Sequence, residues 1–168
     1  MRDSFSVTLN ELLVNTYRTV LRVEEQMIKN MNGIDLSINE LHMLEFIGNS
    51  EEGATISDIA RVMDITLPSV TVAIKKLEKK GYIQKIKCKD DGRIVHVILT
   101  RTGKKIDAMH RYFHEQMIRN ISKEIREDEK ELLLKAMVNL NEFFKKKLAA
   151  MKSGRTTVPK NNEKDLLT

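Results

Sequence analysis

The fold of this chain is decided by residues 55–103, which read TISDIARVMDITLPSVTVAIKKLEKKGYIQKIKCKDDGRIVHVILTRTG. The first part predicts a short helix capped by Ser57, followed by a break. A second helix then begins at a Thr66 cap with Pro68 in its first turn, where a missing N–H costs little, and ends at Gly81. Two short helices joined by a tight turn form a helix-turn-helix.

The second helix of this motif has two distinct faces. Val70, Ala73, Ile74 and Leu77 recur at helical spacing and are predicted to be buried, which turns polar and basic residues outward. Short polar groups near a helix N-terminus, followed by lysines, are suited to the major groove of DNA. The residues that we predict to bind there are Thr66, Pro68, Ser69, Thr71, Val72, Lys75 and Lys76.

A β-hairpin is predicted directly after the helix-turn-helix. Residues 82–88 and 94–99 are rich in β-branched side chains, and the turn-forming sequence KDDGR lies between them. A hairpin in this position is the wing of a winged helix-turn-helix. Lys89 and Arg93, at its tip, are predicted to contact DNA.

Positive charge is concentrated in this region. Residues 75–111 contain 12 Lys or Arg against 4 Asp or Glu, a net charge of +8, whereas the whole chain carries +5. Such a distribution indicates a face that binds phosphates. Duplex DNA is therefore the predicted partner, with an RNA-binding or purely protein-binding module as the alternative.

The composition is that of a single soluble domain or subunit. The 168 residues contain no apolar run long enough to span a membrane and no signal-peptide pattern, so we expect a cytoplasmic protein without a membrane partner. The single cysteine, Cys88, excludes an internal disulfide. It lies in a predicted wing strand without an obvious base, and nucleotide-loop, serine-elbow and metalloprotease motifs are absent from the sequence, so we expect no enzymatic activity.

Long amphipathic helices flank the motif on both sides. One is predicted over residues 5–31, and a shorter helix starts at the capping box formed by Ser37 and Glu40. Downstream, Thr100 caps another long helix, and a last helix covers residues 126–151. The predicted fold is mainly α with a small β-wing.

The long helices present more apolar surface than the central domain can cover. They most simply cover one another in a homodimer, whose two-fold axis would match a palindromic DNA site, although an intramolecular bundle in a monomer is the alternative. The predicted organisation is an N-terminal dimerisation helix at 1–35, the winged helix-turn-helix at 36–103, C-terminal dimerisation helices at 104–151, and a flexible tail at 152–168.

Over residues 9–151 the chain resembles the MarR family of bacterial transcriptional regulators. The residues that carry the resemblance are LEKKGYI at 77–83, DGR at 91–93, Leu99, Thr100 and Gly103. The resemblance implies a dimer whose recognition helix enters the major groove and whose Arg93, steadied by Asp91, enters the minor groove. A guanidinium suits the negative potential of a narrow, A·T-rich minor groove.

Within that family the chain resembles the FabT-type repressors of fatty-acid-synthesis genes. The shared residues are VEE at 23–25, LSINELH at 36–42, FIG at 46–48, RIVH at 93–96 and HRYFH at 110–114. This implies that a long-chain acyl group on acyl carrier protein acts as corepressor. The candidate channel residues, which also fit an ordinary core, are Tyr17, Val20, Met43, Phe46, Met109 and Phe113. Another small apolar or aromatic ligand is a further alternative.

Three of the four histidines form a rival candidate site. His110 and His114 lie four residues apart on one helix face, where they can bind one metal ion together. Zinc-responsive MarR repressors place one Glu and three His in similar helices, which implies Glu24, His42, His110 and His114 here, with Glu25 as a substitute oxygen donor. The alternatives are a zinc-responsive repressor of metal-uptake genes, an acyl-pocket role, or imidazoles hydrogen-bonded to carboxylates.

Overall fold

A computed structural model describes residues 3–31, 33–88 and 93–153 of the chain. In chain order its elements are α1 (Ser4–Asn30), α2 (Ile38–Gly48), α3 (Ile56–Met63), α4 (Leu67–Lys79), β1 (Ile83–Lys87), β2 (Val95–Leu99), α5 (Arg101–Lys123) and α6 (Glu127–Lys152). The predicted fold, mainly helical with a two-stranded wing, is confirmed. The chain divides between Glu115 and Gln116 into two compact units.

Side-chain caps fix where the helices begin. Ser37 and Glu40 form the predicted capping box of α2, and the Thr66 hydroxyl accepts a hydrogen bond from the Ser69 N–H at the start of α4. The Thr100 hydroxyl accepts from the Gly103 N–H at 3.2 Å and caps α5 as expected. These local signals were readable in the sequence because each depends on residues only three positions apart.

The predicted Ser57 cap of the first motif helix is wrong. The cap of α3 is Thr55, whose hydroxyl accepts a hydrogen bond from the Asp58 N–H at 3.1 Å and donates one to the Asp58 carboxylate at 2.6 Å. Thr55 has this acidic partner three residues later, whereas Ser57 is followed at the same spacing by Ala60, which offers no reciprocal bond.

The wing is a regular antiparallel hairpin. Its register runs from Ile83 opposite Leu99 to Lys87 opposite Val95. Ala54, which precedes α3, forms two backbone hydrogen bonds with Val97 and so joins the α2–α3 loop to the sheet. The predicted turn residues 89–92 lie outside the described residues.

One apolar core positions the helix-turn-helix and the wing. It consists of side chains from α2, α3, α4 and the hairpin, among them Leu41, Leu44, Ile59, Ile74, Leu77 and Val97, all with 0% exposure. Ile28 of α1 and Ile106 of α5 are buried with this core. The recognition helix is therefore held by packing on several elements.

The long helices expose much apolar surface in a single chain. On α1 only Glu24 and Ile28 are buried, and Phe5 is 74% exposed. No residue of α6 is buried. The last helix reaches Lys152, one position into the predicted tail, and residues 154–168 lie outside the described part of the chain. Among the described residues, no helix combines the length and the apolar character that crossing a membrane requires.

We predict that Gly103→Ala destabilises the protein. A Cβ at this position would overlap the backbone oxygen of Tyr82, so the start of α5 would have to move away from the wing. Overpacking of this kind costs about 1–3 kcal/mol in the free energy of unfolding, which urea denaturation measures. The neighbouring exposed variant Thr102→Ala should change it by no more than about 0.5 kcal/mol. Equal stability of the two variants would show that the contact is not rigid.

Candidate nucleic-acid interface and ligand sites

The outer face of α4 carries the residues predicted to bind in the major groove. Thr66, Pro68, Ser69, Val72, Lys75 and Lys76 are all exposed. Thr71 is half-buried, and its hydroxyl donates a hydrogen bond to the Leu67 carbonyl at 2.9 Å, so its outward orientation is only partial. The inner face buries Val70, Ile74 and Leu77 completely, and Ala73 is half-buried.

The lysines of α4 divide into paired and unpaired groups. Lys75, Lys76 and Lys79 are exposed, and the described residues provide no ion-pair partner for them. Unpaired lysines on an exposed helix face are suited to DNA phosphates. Lys80 instead lies 3.2 Å from a Glu40 carboxylate oxygen and 3.4 Å from Asp35 Oδ2.

Lys80 therefore joins the end of α4 to the start of α2. Partial burial alone would lower the pKa of Lys80, but its hydrogen bonds and charge interactions with Glu40 and Asp35 hold that pKa above its ordinary value. The charge of Lys80 is thus neutralised by Glu40 and Asp35 within the protein. Local sequence patterns do not indicate this contact, because Lys80 and Glu40 are 40 residues apart.

The structure describes only part of the wing tip. Arg93 is exposed at the start of the second arm, ahead of β2. Lys89 and Asp91 lie outside the described residues, so the roles predicted for Lys89 as a DNA contact and for Asp91 as a support remain predictions.

Glu24 lies at the centre of the histidine cluster. One of its carboxylate oxygens is 3.5 Å from both His110 Nε2 and His114 Nε2, and the other is 3.6 Å from His42 Nε2. The two Nε2 atoms of His110 and His114 are 3.0 Å apart. The structure thus brings together all four predicted residues, whereas Glu25 is exposed.

The cluster is buried at its centre and more open at its edge. Glu24 and His110 have 2% and 0% exposure, whereas the side chains of His42 and His114 retain 38% and 33%. Burial lowers the pKa of His110, against the opposing charge of Glu45, and so favours a neutral imidazole. Glu24 Oε2 and His110 Nδ1 are buried, and neither accepts or donates a hydrogen bond within the described residues.

Two acidic residues that the sequence analysis missed extend this cluster. Glu45 Oε2 lies 3.4 Å from His110 Nδ1, and the buried Asp107 lies one turn before His110 on α5. Burial raises the pKa of Asp107, although its 3.0 Å ion pair with Arg111 opposes the shift. Spacing alone indicates that Asp107 shares a helix face with His110 and Arg111, but its burial depends on packing against Gly48.

An apolar groove of about 510 Å³ lies between α1 and α5. Its apolar lining comes mainly from Val23, Met27, Met31, Met109 and Phe113. Of the six predicted channel residues, only Met109 and Phe113 line this groove.

The other four predicted channel residues have different surroundings. Met43 belongs to the buried core and Phe46 packs against it, while Val20 is half-buried and Tyr17 is 66% exposed. The predicted set is therefore not brought together in one channel, because the helical spacing that suggested it also describes core packing.

A helix-turn-helix with an exposed polar and basic second helix, followed by a β-hairpin, defines a winged-helix DNA-binding protein. The MarR family profile matches residues 36–95. The structure of Streptococcus pneumoniae FabT in complex with DNA superimposes on this chain with a TM-score of 0.76 and 32% sequence identity. The superposition includes 84% of this chain and 98% of the FabT chain. The chain belongs to the MarR family of transcriptional regulators, and the expectation of a regulator rather than an enzyme is confirmed.

Two other relatives show how far the similarity extends. Adhesin competence repressor AdcR of Streptococcus pyogenes is 25% identical with a TM-score of 0.62, over 81% of this chain and 97% of that one. The regulator SarZ of Staphylococcus haemolyticus is 28% identical over 82% of this chain and 90% of its own length. The match to the Bacillus subtilis regulator YhjH spans about half of that protein, 46% of its length.

We predict that Arg93→Ala weakens binding to an operator duplex selected from a random pool by about 1–3 kcal/mol, the usual contribution of a well-placed specific contact. The exposed position of Arg93 at the wing motivates this expectation. Fluorescence anisotropy at fixed salt measures the affinity, with Arg119→Ala on α5 as the charge-matched control. Equal affinities of the two variants would rule out a role for Arg93 in DNA binding.

Proposed function

We propose that this protein is a homodimeric repressor that binds a palindromic operator of fatty-acid-synthesis genes, and that a long-chain acyl group on acyl carrier protein controls its affinity for DNA. The observation that carries the proposal is the exposed, polar and basic outer face of α4 in a chain that is similar to DNA-bound FabT over 98% of that structure. The regulated genes are inferred from the resemblance to the FabT-type branch.

The exposed apolar residues of the long helices support the dimer. Phe5, Leu12 and Tyr17 of α1 are 74%, 59% and 66% exposed, and on α6 Leu132, Leu134 and Phe144 are 69%, 66% and 59% exposed. Apolar surface on this scale marks an interface, and a second copy of the chain related by a two-fold axis can cover it. Such a dimer presents two recognition helices to successive major grooves, about 34 Å apart.

The groove between α1 and α5 supports the acyl ligand. Its volume of about 510 Å³ falls within the usual range of small-molecule sites. Three of its lining residues are methionines, whose unbranched side chains adapt to a flexible hydrocarbon. We propose that the acyl chain lies against Met27, Met31, Met109 and Phe113.

We predict that acyl carrier protein loaded with an oleoyl chain tightens operator binding, whereas the unacylated carrier does not. Each buried CH₂ contributes about 0.8 kcal/mol before ordering costs. In anisotropy titrations Phe113→Gln should weaken the effect of the oleoyl carrier, because a polar amide replaces an aromatic ring in the groove. Tyr112→Gln, which alters an exposed neighbour outside the groove, should retain it. A wild-type protein that ignores the acylated carrier contradicts the proposed ligand.

The Glu24 cluster supports a second candidate, a repressor that responds to zinc. Tetrahedral Zn²⁺ with bonds of about 2.0–2.1 Å to nitrogen or oxygen separates its ligand atoms by about 3.3 Å. The Glu24 oxygens lie 3.5 to 3.6 Å from the three histidine nitrogens, and the nitrogens of His110 and His114 are 3.0 Å apart. The ligand atoms that all lie within 4.8 Å of one another belong to Glu24, His110 and His114, and His42 approaches the other oxygen of Glu24. A buried, neutral imidazole is the form of histidine that binds metals. Glu24, His42, His110 and His114 would hold the ion, which would join α1, α2 and α5.

If this candidate is correct, zinc should tighten operator binding and a chelator should reverse the effect. His110→Ala should abolish the response, since it removes the most buried nitrogen ligand, while His96→Ala in the wing should leave it unchanged. Isothermal titration with Zn²⁺ and anisotropy with the operator measure the two steps. A metal-free protein with full DNA affinity that is indifferent to zinc would eliminate this candidate and leave the acyl proposal unaffected.

A further inference from the structure

A second groove, of about 670 Å³, lies where α5 begins beside the wing sheet. Arg101, Lys104 and Lys105 line it, and their spacing places all three on one face of the helix. Its apolar lining comes from Ile98, Leu99 and Ala108. We call this surface the basic groove. Its combination of cations with an apolar lining is suited to an anionic partner that also buries some apolar surface.

The positive charge of the basic groove is not neutralised by acidic side chains of the described residues. Arg101, Lys104 and Lys105 are exposed, and no described residue forms an ion pair with any of them. The first turn of α5 contains no acidic residue. A helix N-terminus carries partial positive charge, so three cations there repel it and one another. The arrangement costs stability that an external anionic partner would recover.

The position of the groove separates it from the DNA-reading end of α4. The Thr100 hydroxyl donates a hydrogen bond to the Gly81 carbonyl at 2.7 Å, so α5 begins beside the C-terminal end of α4. At 1.5 Å per residue, the 13 residues of α4 place its N-terminal tip about 20 Å from that end. No residue of α4 lines the groove. The basic groove therefore lies at the end of α4 opposite the N-terminal turn that is predicted to bind in the major groove.

The same groove lies close to the proposed acyl site. Met109 of that site follows Lys105 by one turn of α5, a rise of about 6 Å along the helix axis. A carrier that is held at Arg101, Lys104 and Lys105 can therefore deliver a chain attached to its flexible prosthetic arm to Met109 and Phe113.

We infer that the basic groove is the docking surface for acyl carrier protein, which is a small acidic protein. The inference rests on the proposed function, because it assumes that the acyl chain arrives on this carrier. Charge complementarity between Arg101, Lys104 and Lys105 and the acidic carrier orients the complex and raises its association rate, and added salt weakens it.

The test compares wild type with the double variant Lys104→Glu, Lys105→Glu. Glutamate in the first turn of a helix is favoured by the helix dipole, so α5 should still form. The control is Lys135→Glu, Lys146→Glu, which makes the same change in net charge at exposed positions of α6. Anisotropy of a labelled operator is measured during titration with oleoyl acyl carrier protein, and operator affinity without the carrier is measured at several salt concentrations.

We expect the groove variant to require at least tenfold more oleoyl carrier than the control variant for half of its effect, with each response measured relative to the operator affinity of the same variant without the carrier. The control should behave as wild type. An unresponsive wild type overturns both the proposed corepressor and this inference. A groove variant as responsive as wild type, or a control equally impaired, overturns the docking surface alone. A loss of operator affinity with a smaller salt slope would assign the groove to DNA phosphates instead.

Discussion

The burial of one face of α4 is the constraint on which the rest of the structure depends. Val70, Ile74 and Leu77 are completely buried among side chains of α2, α3 and the hairpin, so the opposite face must point to solvent. A rotation of α4 about its axis would remove three large side chains from the core, at a cost of about 1.5–3 kcal/mol each. The ion pairs of Lys80 with Glu40 and Asp35 hold the end of the same helix. The orientation of Ser69, Val72, Lys75 and Lys76 is therefore a consequence of packing.

The charged side chains of this protein differ in their surroundings: some form ion pairs, some are exposed without a partner among the described residues, and some are buried. Lys80 joins α4 to α2 through its ion pair with Glu40, and Arg111 pairs with Asp107 within α5. Two groups of exposed cations, one on α4 and one at the start of α5, have no ion-pair partner among the described residues. Between α1, α2 and α5 the protein instead buries Glu24, His110 and Asp107. Buried titratable groups without full hydrogen bonding cost free energy and are common at functional sites. The zinc ion of the second proposed candidate would bind at this junction.

The sequence predicted the features that depend on local patterns. The capping box at Ser37 and Glu40, the Thr66 and Thr100 caps and the β-branched arms of the wing are all set by residues close together in the chain, and the structure agrees with each. One local feature, the cap of α3, was assigned to Ser57 instead of Thr55. The other features that it missed depend on packing between distant segments. Whether Met43 lines a channel or a core, and whether Glu45 and Asp107 approach His110, is decided by the angles between helices, which periodicity does not specify.

The central claim is that the exposed face of α4 is the surface that binds the operator. The salt dependence of operator affinity in the double variant Lys75→Ala, Lys76→Ala tests it most directly, since each phosphate contact that is lost removes about 0.9 from the slope of log K against log salt. The proposed dimer loses four lysines in this variant, so this account predicts a slope smaller by about 3.6 units and weaker binding at low salt, with a Lys135→Ala, Lys146→Ala control that matches wild type. An unchanged slope and affinity in the α4 variant would contradict it.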